Sequence, residues 1–135
     1  MKYKYNILIV GDEEEVLDTL KKHLEQEKYK VETTISKDAI EKFKSDKYHI
    51  VLIDIVMPQM DGFELLREIK KYDPMTQIIV MTECSTMDSI LKSLEYGANE
   101  YIYNPINSAE YVLNVIDYSV QKLERWREAI IQLVK

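Results

Sequence analysis

Apolar and polar positions along this chain follow two alternating periods. Short runs that are apolar on both faces, ILIV (7–10), IVLI (50–53) and IIV (78–80), mark strands covered from both sides. On this pattern strands are expected at residues 5–10, 30–34, 50–53, 77–81 and 100–103. Between them apolar residues recur every three or four positions, as in a helix with one apolar stripe. Val16, Leu17, Leu20 and Leu24 form one set; Ala39, Ile40 and Phe43 a second; Phe63, Leu65, Leu66 and Ile69 a third; Ile90, Leu91 and Leu94 a fourth. Gly97 stands where a glycine ends a helix, just ahead of the last strand. Strands and helices alternating at this pitch predict crossover connections, a parallel sheet and the α/β class.

The last helical stretch differs from the others. Positions 107–135 contain no Gly or Pro, and Val112, Ile116, Ser119, Leu123, Trp126, Ile130 and Leu133 fall at alternating spacings of four and three. That is the a/d seam of a coiled coil, with Ser119 as its polar member. The first half is needed to cover the sheet. The second half is open to three readings: a helix folding back on its own domain, a dimer seam, or a connector to an output module absent from this chain. The chain therefore divides into one domain over 1–122 and a helical extension over 123–135.

Four strands end in residues able to do chemistry: Asp12 after the first, Asp54 after the third, Thr82 at the end of the fourth and Asn104 after the fifth. In an open parallel sheet these carboxyl ends lie together, and ligands bind outside them. Two converging carboxylates repel unless a cation lies between them. A hard oxygen site with few carboxylates suits Mg²⁺, which completes its shell with water and phosphate oxygens. Beside such a cation a carboxylate is a competent nucleophile toward phosphorus. Thr82 would offer its hydroxyl to a phosphoryl oxygen. Asp12, just before EEEVLDTL, would also serve as a helix N-cap. Asp54, between IVLI and IVMP, has no such simple structural use, since an unpaired charge there is costly.

Composition narrows the field. The 135 residues are 46% hydrophobic and 31% charged, ordinary globular values for one domain. A net charge of −6 argues against direct nucleic-acid binding. The single cysteine, Cys84, allows no internal disulfide and fits a reducing compartment. No apolar run reaches the roughly 20 residues that span a bilayer, and the N-terminal residues lack a signal-peptide layout, so a cytoplasmic protein is expected. His23 and His49 have no metal-ligand spacing. Gly11 is a lone glycine after the first strand, which disfavours a flavodoxin-like enzyme or nucleotide binder on the same topology.

Taken together, ILIVGDE (7–13), DIVMPQMDG (54–62), Thr82 and Pro105 resemble, in order, the receiver domain of two-component response regulators, a resemblance covering residues 4–121. It implies a flavodoxin-like doubly wound five-stranded parallel sheet in the order 2-1-3-4-5. It implies Asp54 as the phosphoacceptor, and Mg²⁺ held by Asp12, Asp54 and the backbone carbonyl of Val56. Thr82 would be the switch hydroxyl and Tyr101 the aromatic side chain that swings inward on activation. The implied partners are a histidine kinase or phosphotransfer protein and an unknown downstream protein, with a homodimer as an option. The domain would promote its own phosphotransfer at most, and would not otherwise be an enzyme.

Three positions depart from the family pattern. Gly11 replaces the first of two acidic residues, which weakens the metal site. Asn104 replaces the lysine before the proline, exchanging a charge-assisted bond of about 1.5–3 kcal/mol for a neutral one of about 1 kcal/mol. Glu83 puts a carboxylate where a small residue is usual. These changes predict weak phosphorylation and switching. The alternative is a degenerate, phosphorylation-independent receiver that acts as an interaction or dimerisation module. The Asn104–Pro105 bond is free to be cis, as in the family.

Overall fold

The computed structural model describes residues 4–55, 61–82, 86–103 and 108–134. Strands β1 (Asn6–Val10), β2 (Lys30–Thr34), β3 (Ile50–Asp54), β4 (Gln77–Thr82) and β5 (Glu100–Tyr103) alternate with helices. These are α1 (Glu14–Gln26), α2 (Ala39–Ser45), α3 (Gly62–Tyr72), α4 (Met87–Glu95) and α5 (Ala109–Leu133). The sheet order is β2-β1-β3-β4-β5 and every pairing is parallel. The α/β flavodoxin-like topology expected from the sequence is therefore the one adopted. Strand positions agree to within a residue, with β3 reaching Asp54 and β4 reaching Thr82.

Side-chain alternation divides the core into two layers. Ile7, Ile9, Leu52 and Met81 pack under α1 and α5, through Leu17, Leu20, Leu24, Val112, Ile116 and Leu123. Leu8, Val10, Val51, Ile53 and Val80 pack on the opposite face against Ala39, Phe43, Leu65, Leu66 and Ile69 of α2 and α3. Parallel strands need crossovers, and right-handed crossovers from a strand order that reverses at β1 put helices on both faces. The apolar residues of β1, β3 and β4 are accordingly inaccessible.

The fourth helical set forms α4, as its spacing predicts. Its period is right, but Ile90, Leu91 and Leu94 of α4 are exposed, Leu94 by 67%, while the buried residue of the helix is Ser93. A small serine face lets α4 rest against the β5 side, and its larger apolar residues are left toward solvent. The last helix resolves one open reading. Val112, Ile116, Ser119 and Leu123 are buried, whereas Trp126, Ile130 and Leu133 are 59%, 48% and 85% exposed. The seam is continuous, but beyond Leu123 its apolar members face solvent, while Arg127 still lines a cavity with Tyr5 and His49.

Two glycines carry geometric constraints. Gly97 has φ +102°, a left-handed conformation that ends α4, with its N–H donating to Leu94 O at 3.2 Å. At Gly62 a Cβ would lie 2.6 Å from Ile55 Cα, so only glycine lets α3 begin this close to the end of β3.

At the opposite end of the sheet, His49 Nδ1 accepts the Asn6 N–H at 3.1 Å. Burial first, then the charges of Lys47 and Arg127, hold the imidazole below its usual pKa, with Asp73 opposing. The unfolded chain, titrating near 6.5, binds this proton before the folded one, so stability falls as pH drops below that value. Thermal melts between pH 7.5 and 5.5 are expected to show a decline in the native protein. His49→Asn, which keeps an acceptor but does not titrate, should show a smaller decline.

Candidate functional site

The carboxyl ends of β1, β3 and β4 put Asp12, Asp54 and Thr82 at one edge of the sheet, while Tyr101 lies further back, opposite Val80 in the β4–β5 register. The β3–β4 register sets Asp54 opposite Met81, so Thr82 lies one residue beyond it on the neighbouring strand. Alternation starts Thr82 on the α2/α3 side and Asp54 on the α1/α5 side, so the two groups can meet only beyond the strand ends, at the rim of the sheet. Adjacent strands are about 4.8 Å apart. Thr82 is buried, at 3% exposure, and Asp54 is half-buried. Asp61 fixes the far side of the phosphoacceptor-type loop, where its carboxylate caps α3 by accepting the Phe63 N–H at 2.9 Å.

Asp12 does not cap α1. The N-cap position is Glu13, whose side chain makes no capping bond. The Asp12 carboxylate reaches instead across to Ser36, just after β2. Its Oδ1 accepts the Ser36 N–H and Oγ–H, both at 3.0 Å, and Oδ2 lies 2.9 Å from the same hydroxyl. Ser36 is buried, at 1% exposure. A carboxylate has about four acceptor sites, so these bonds orient Asp12 while leaving lone pairs for a cation. Sequence reasoning missed Ser36. Nothing links it to Asp12 across 24 residues except the β1–β2 pairing, which places the two strand ends side by side.

Gly11 adjoins Asp54. A Cβ at position 11 would sit 3.7 Å from Asp54 Cβ and 3.3 Å from Leu17 Cδ2. A side chain there would point at the acidic edge, and its absence leaves the site with fewer oxygens. Among the described residues no cluster of three or more His, Cys, Asp and Glu has metal-binding geometry. The donor set present, Asp12 and Asp54, suits a cation that retains water, as Mg²⁺ does. These two residues would hold it.

Tyr101 packs partly into the α2/α3 core layer, and its hydroxyl makes a long 3.5 Å contact with Ser89 Oγ on α4. Ser89 also closes the capping box of α4, accepting the Thr86 N–H at 3.0 Å and donating its own N–H to Thr86 Oγ1 at 3.1 Å. Tyr101 is thereby connected to the start of α4, four residues after Thr82. Val56, Glu83, Cys84 and the Asn104–Pro105 bond lie outside the described residues.

The comparisons decide the family. Residues 7–116 match the response regulator receiver domain. The chain belongs to that family. It is 32% identical over 111 residues to the response regulator SaeR of Staphylococcus aureus, an alignment covering 82% of this chain and 48% of SaeR. The chain thus spans about half the length of the curated relatives it matches. A CheY-like receiver domain from Methanospirillum hungatei superposes with a TM-score of 0.84 at 31% identity, covering 90% of this chain and 97% of that one. A beryllofluoride-activated NtrC4 receiver-domain dimer gives 0.81 at 30% identity, covering 91% and 99%. Receiver domains generally use Mg²⁺ for phosphorylation and engage histidine kinases and downstream effectors, and some dimerise. No helix among the described residues of this one is long and apolar enough to cross a membrane.

If Ser36 orients Asp12 toward the cation, Ser36→Ala should raise the Mg²⁺ dissociation constant by about tenfold, the low end for loss of a residue that orients a metal ligand. Gly11→Asp should lower it, since the added carboxylate adjoins Asp54 and needs only a small shift of Leu17. Mg²⁺ titration followed by calorimetry or amide shifts reads both. Tighter binding in Ser36→Ala would mean that Ser36 competes with the cation.

Proposed function

We propose that this receiver accepts a phosphoryl group on Asp54 and uses it, weakly, to change which protein it binds. The observation that carries this reading is the juxtaposition of Asp54 and Thr82 on neighbouring strands, with Tyr101 joined to the start of α4. A carboxylate oxygen of Asp54 would attack the phosphorus of a phosphohistidine on a kinase or phosphotransfer protein. The new O–P bond forms as the P–N bond breaks, and the imidazole leaves and takes up a proton. Phosphoryl transfer depends mainly on positioning and electrostatics. Asp12, held by Ser36, and Asp54 would position Mg²⁺, which supplies charge neutralisation at the phosphoryl oxygens. Thr82 would donate its hydroxyl to one of those oxygens. Movement of Thr82 toward it would relieve Tyr101 and shift its contact with Ser89, so the exposed apolar face of α4 changes.

Weakness follows from Gly11 and Asn104, one removing a carboxylate from the cation and the other a charge from the phosphoryl group. The domain is a signalling element of the cytoplasm on this reading, with no catalysis beyond its own phosphotransfer. Amide spectra with Mg²⁺ and then Mg²⁺ plus beryllofluoride test it. Shifts at Asp54, Thr82, Tyr101 and Ser89, absent in Asp54→Ala, are expected. Asn104→Lys should tighten beryllofluoride binding several-fold, as a charge-assisted bond replaces a neutral one. Unchanged spectra at millimolar Mg²⁺ would leave Asp54 without this role.

A specific observation favours a second activity alongside the first, a homodimer through α5. Trp126, Ile130 and Leu133 continue the buried seam into solvent, which matches a short parallel or antiparallel helix pair. Sedimentation equilibrium should show a concentration-dependent dimer that Ile130→Glu converts to monomer. A native protein that stays monomeric at hundreds of micromolar excludes the seam as a self-association surface.

A further inference from the structure

The exposed part of the α5 seam faces a defined direction. α5 is one helix over Ala109–Leu133. Val112, Ile116, Ser119 and Leu123 form its buried stripe against the sheet, and Trp126, Ile130 and Leu133 follow at the same alternating spacing of three and four. A stripe at this spacing stays on one side of a helix. The exposed residues therefore point to the side of the sheet, just past the pole where its strands begin. Arg127 shows the same direction, since it lines a cavity of about 320 Å³ with Tyr5, His49, Met75 and Thr76 at that pole. Leu123 lines it too. The helical extension and the starts of β1, β3 and β4 are thus two walls of a concave corner.

The polar groups of this corner are occupied within the chain. Glu124 and Arg127 bond the Tyr5 hydroxyl, and Thr76 bonds Asp73. Lys47 pairs with Asp73 at 2.5 Å, and His49 accepts the Asn6 N–H. What remains for a partner is apolar: Trp126, Ile130 and Leu133 on the helix, and Met75 and Leu123 in the cavity wall.

A second helix laid along this stripe can run in two directions, and the sheet blocks one of them. In a parallel pair the partner's residues 112–123 would run beside those of this copy, in space that the sheet fills. In an antiparallel pair the partner's domain lies at the far end, and the tip of its helix points into the corner. The register that keeps the two stripes in contact sets Trp126 against the partner's Ile130, and Leu133 against the partner's Leu123.

We propose that the protein pairs with a second copy through antiparallel α5 extensions, each inserting Leu133 into the cavity beside the partner's Leu123. This rests on the reading of α5 as a self-association surface and gives that surface its geometry. Two stripes of three exposed residues are small against the roughly 800 Å² per partner that a stable interface buries. The corner adds the cavity walls to each half, and two-fold symmetry counts that gain twice. Arg127 comes near its own counterpart at the axis, and Glu124, beside it at the Tyr5 hydroxyl, offsets the charge.

The distance between spin labels tests the direction. Cys84, the single cysteine, is replaced by Ser, and Glu110→Cys in the exposed first turn of α5 carries the label. The antiparallel register puts the two labels about 50 Å apart along the helix axes, whereas a parallel pair would hold them within about 25 Å. Amide spectra across a range of protein concentrations read the cavity. Shifts at His49 and Thr76 are expected on dimerisation. Leu133→Ala, at a position 85% exposed in the single copy, should abolish them and raise the dimer dissociation constant about tenfold or more. The short label distance overturns the proposal while leaving the dimer. The long distance with His49 and Thr76 unshifted overturns the insertion of Leu133. A chain that sediments as a monomer at hundreds of micromolar removes the underlying dimer reading as well.

Discussion

The burial of β1, β3 and β4 on both faces is the constraint on which the rest of this molecule depends. A strand covered on both sides has no solvated face, so polar chemistry is excluded from its length and pushed to its ends. Ile7 to Val10, Ile50 to Ile53 and Ile78 to Val80 are all inaccessible. The first polar side chains after them, Asp12, Asp54 and Thr82, are therefore forced to one edge. Parallel pairing makes it the same edge for every strand, and Gly62 lets α3 close down on the end of β3 where any Cβ would collide with Ile55. The site is thus a consequence of the packing.

Charge then decides how well that edge works. Two carboxylates brought together raise each other's energy unless neutralised or hydrogen-bonded. Asp12 is stabilised by the Ser36 amide and hydroxyl, a neutral arrangement that lowers the cost of an apo site carrying two negative charges. Gly11 lowers that cost again by omitting a third. On the proposed function, the carboxylate that Gly11 omits would also be missing from the cation.

Much of this was legible in the sequence, and the failures have physical causes. Strand positions were readable because a doubly buried strand must be apolar at consecutive positions, a pattern no amphipathic helix produces. Asp54 and Thr82 were readable because they end such runs. The orientation of α4 was not. Periodicity reports that Ile90, Leu91 and Leu94 share a face but says nothing of which neighbour that face meets, and α4 turns its serines inward. The Ser36–Asp12 bond was hidden because it depends on register between β1 and β2, not on any local spacing. The seam of α5 was visible throughout its length, yet only the structure locates the exit at Leu123, since burial depends on where the sheet stops. The roles of Val56, Glu83 and Asn104 rest on the sequence alone.

The helix α5 links the two ends of the domain, and its attachments show how. Tyr29 donates to Asp117 at 2.5 Å, tying the start of β2 to the middle of the helix. Burial, then Asp117 itself, drives the Tyr29 pKa far above its usual value, so this bond persists across the physiological range. Five residues on, Lys122 pairs with Glu100 at the start of β5 and reaches toward Asn99 O at 3.4 Å. Glu100 precedes Tyr101, whose hydroxyl meets α4. The proposed shift of Tyr101 would therefore act on a strand that is anchored to α5 one residue before Leu123. Coupling between distant sites requires that both bias one element with distinct arrangements. Among the described residues, the Lys122–Glu100 pair joins β5, which carries Tyr101, to α5, which carries the exposed seam.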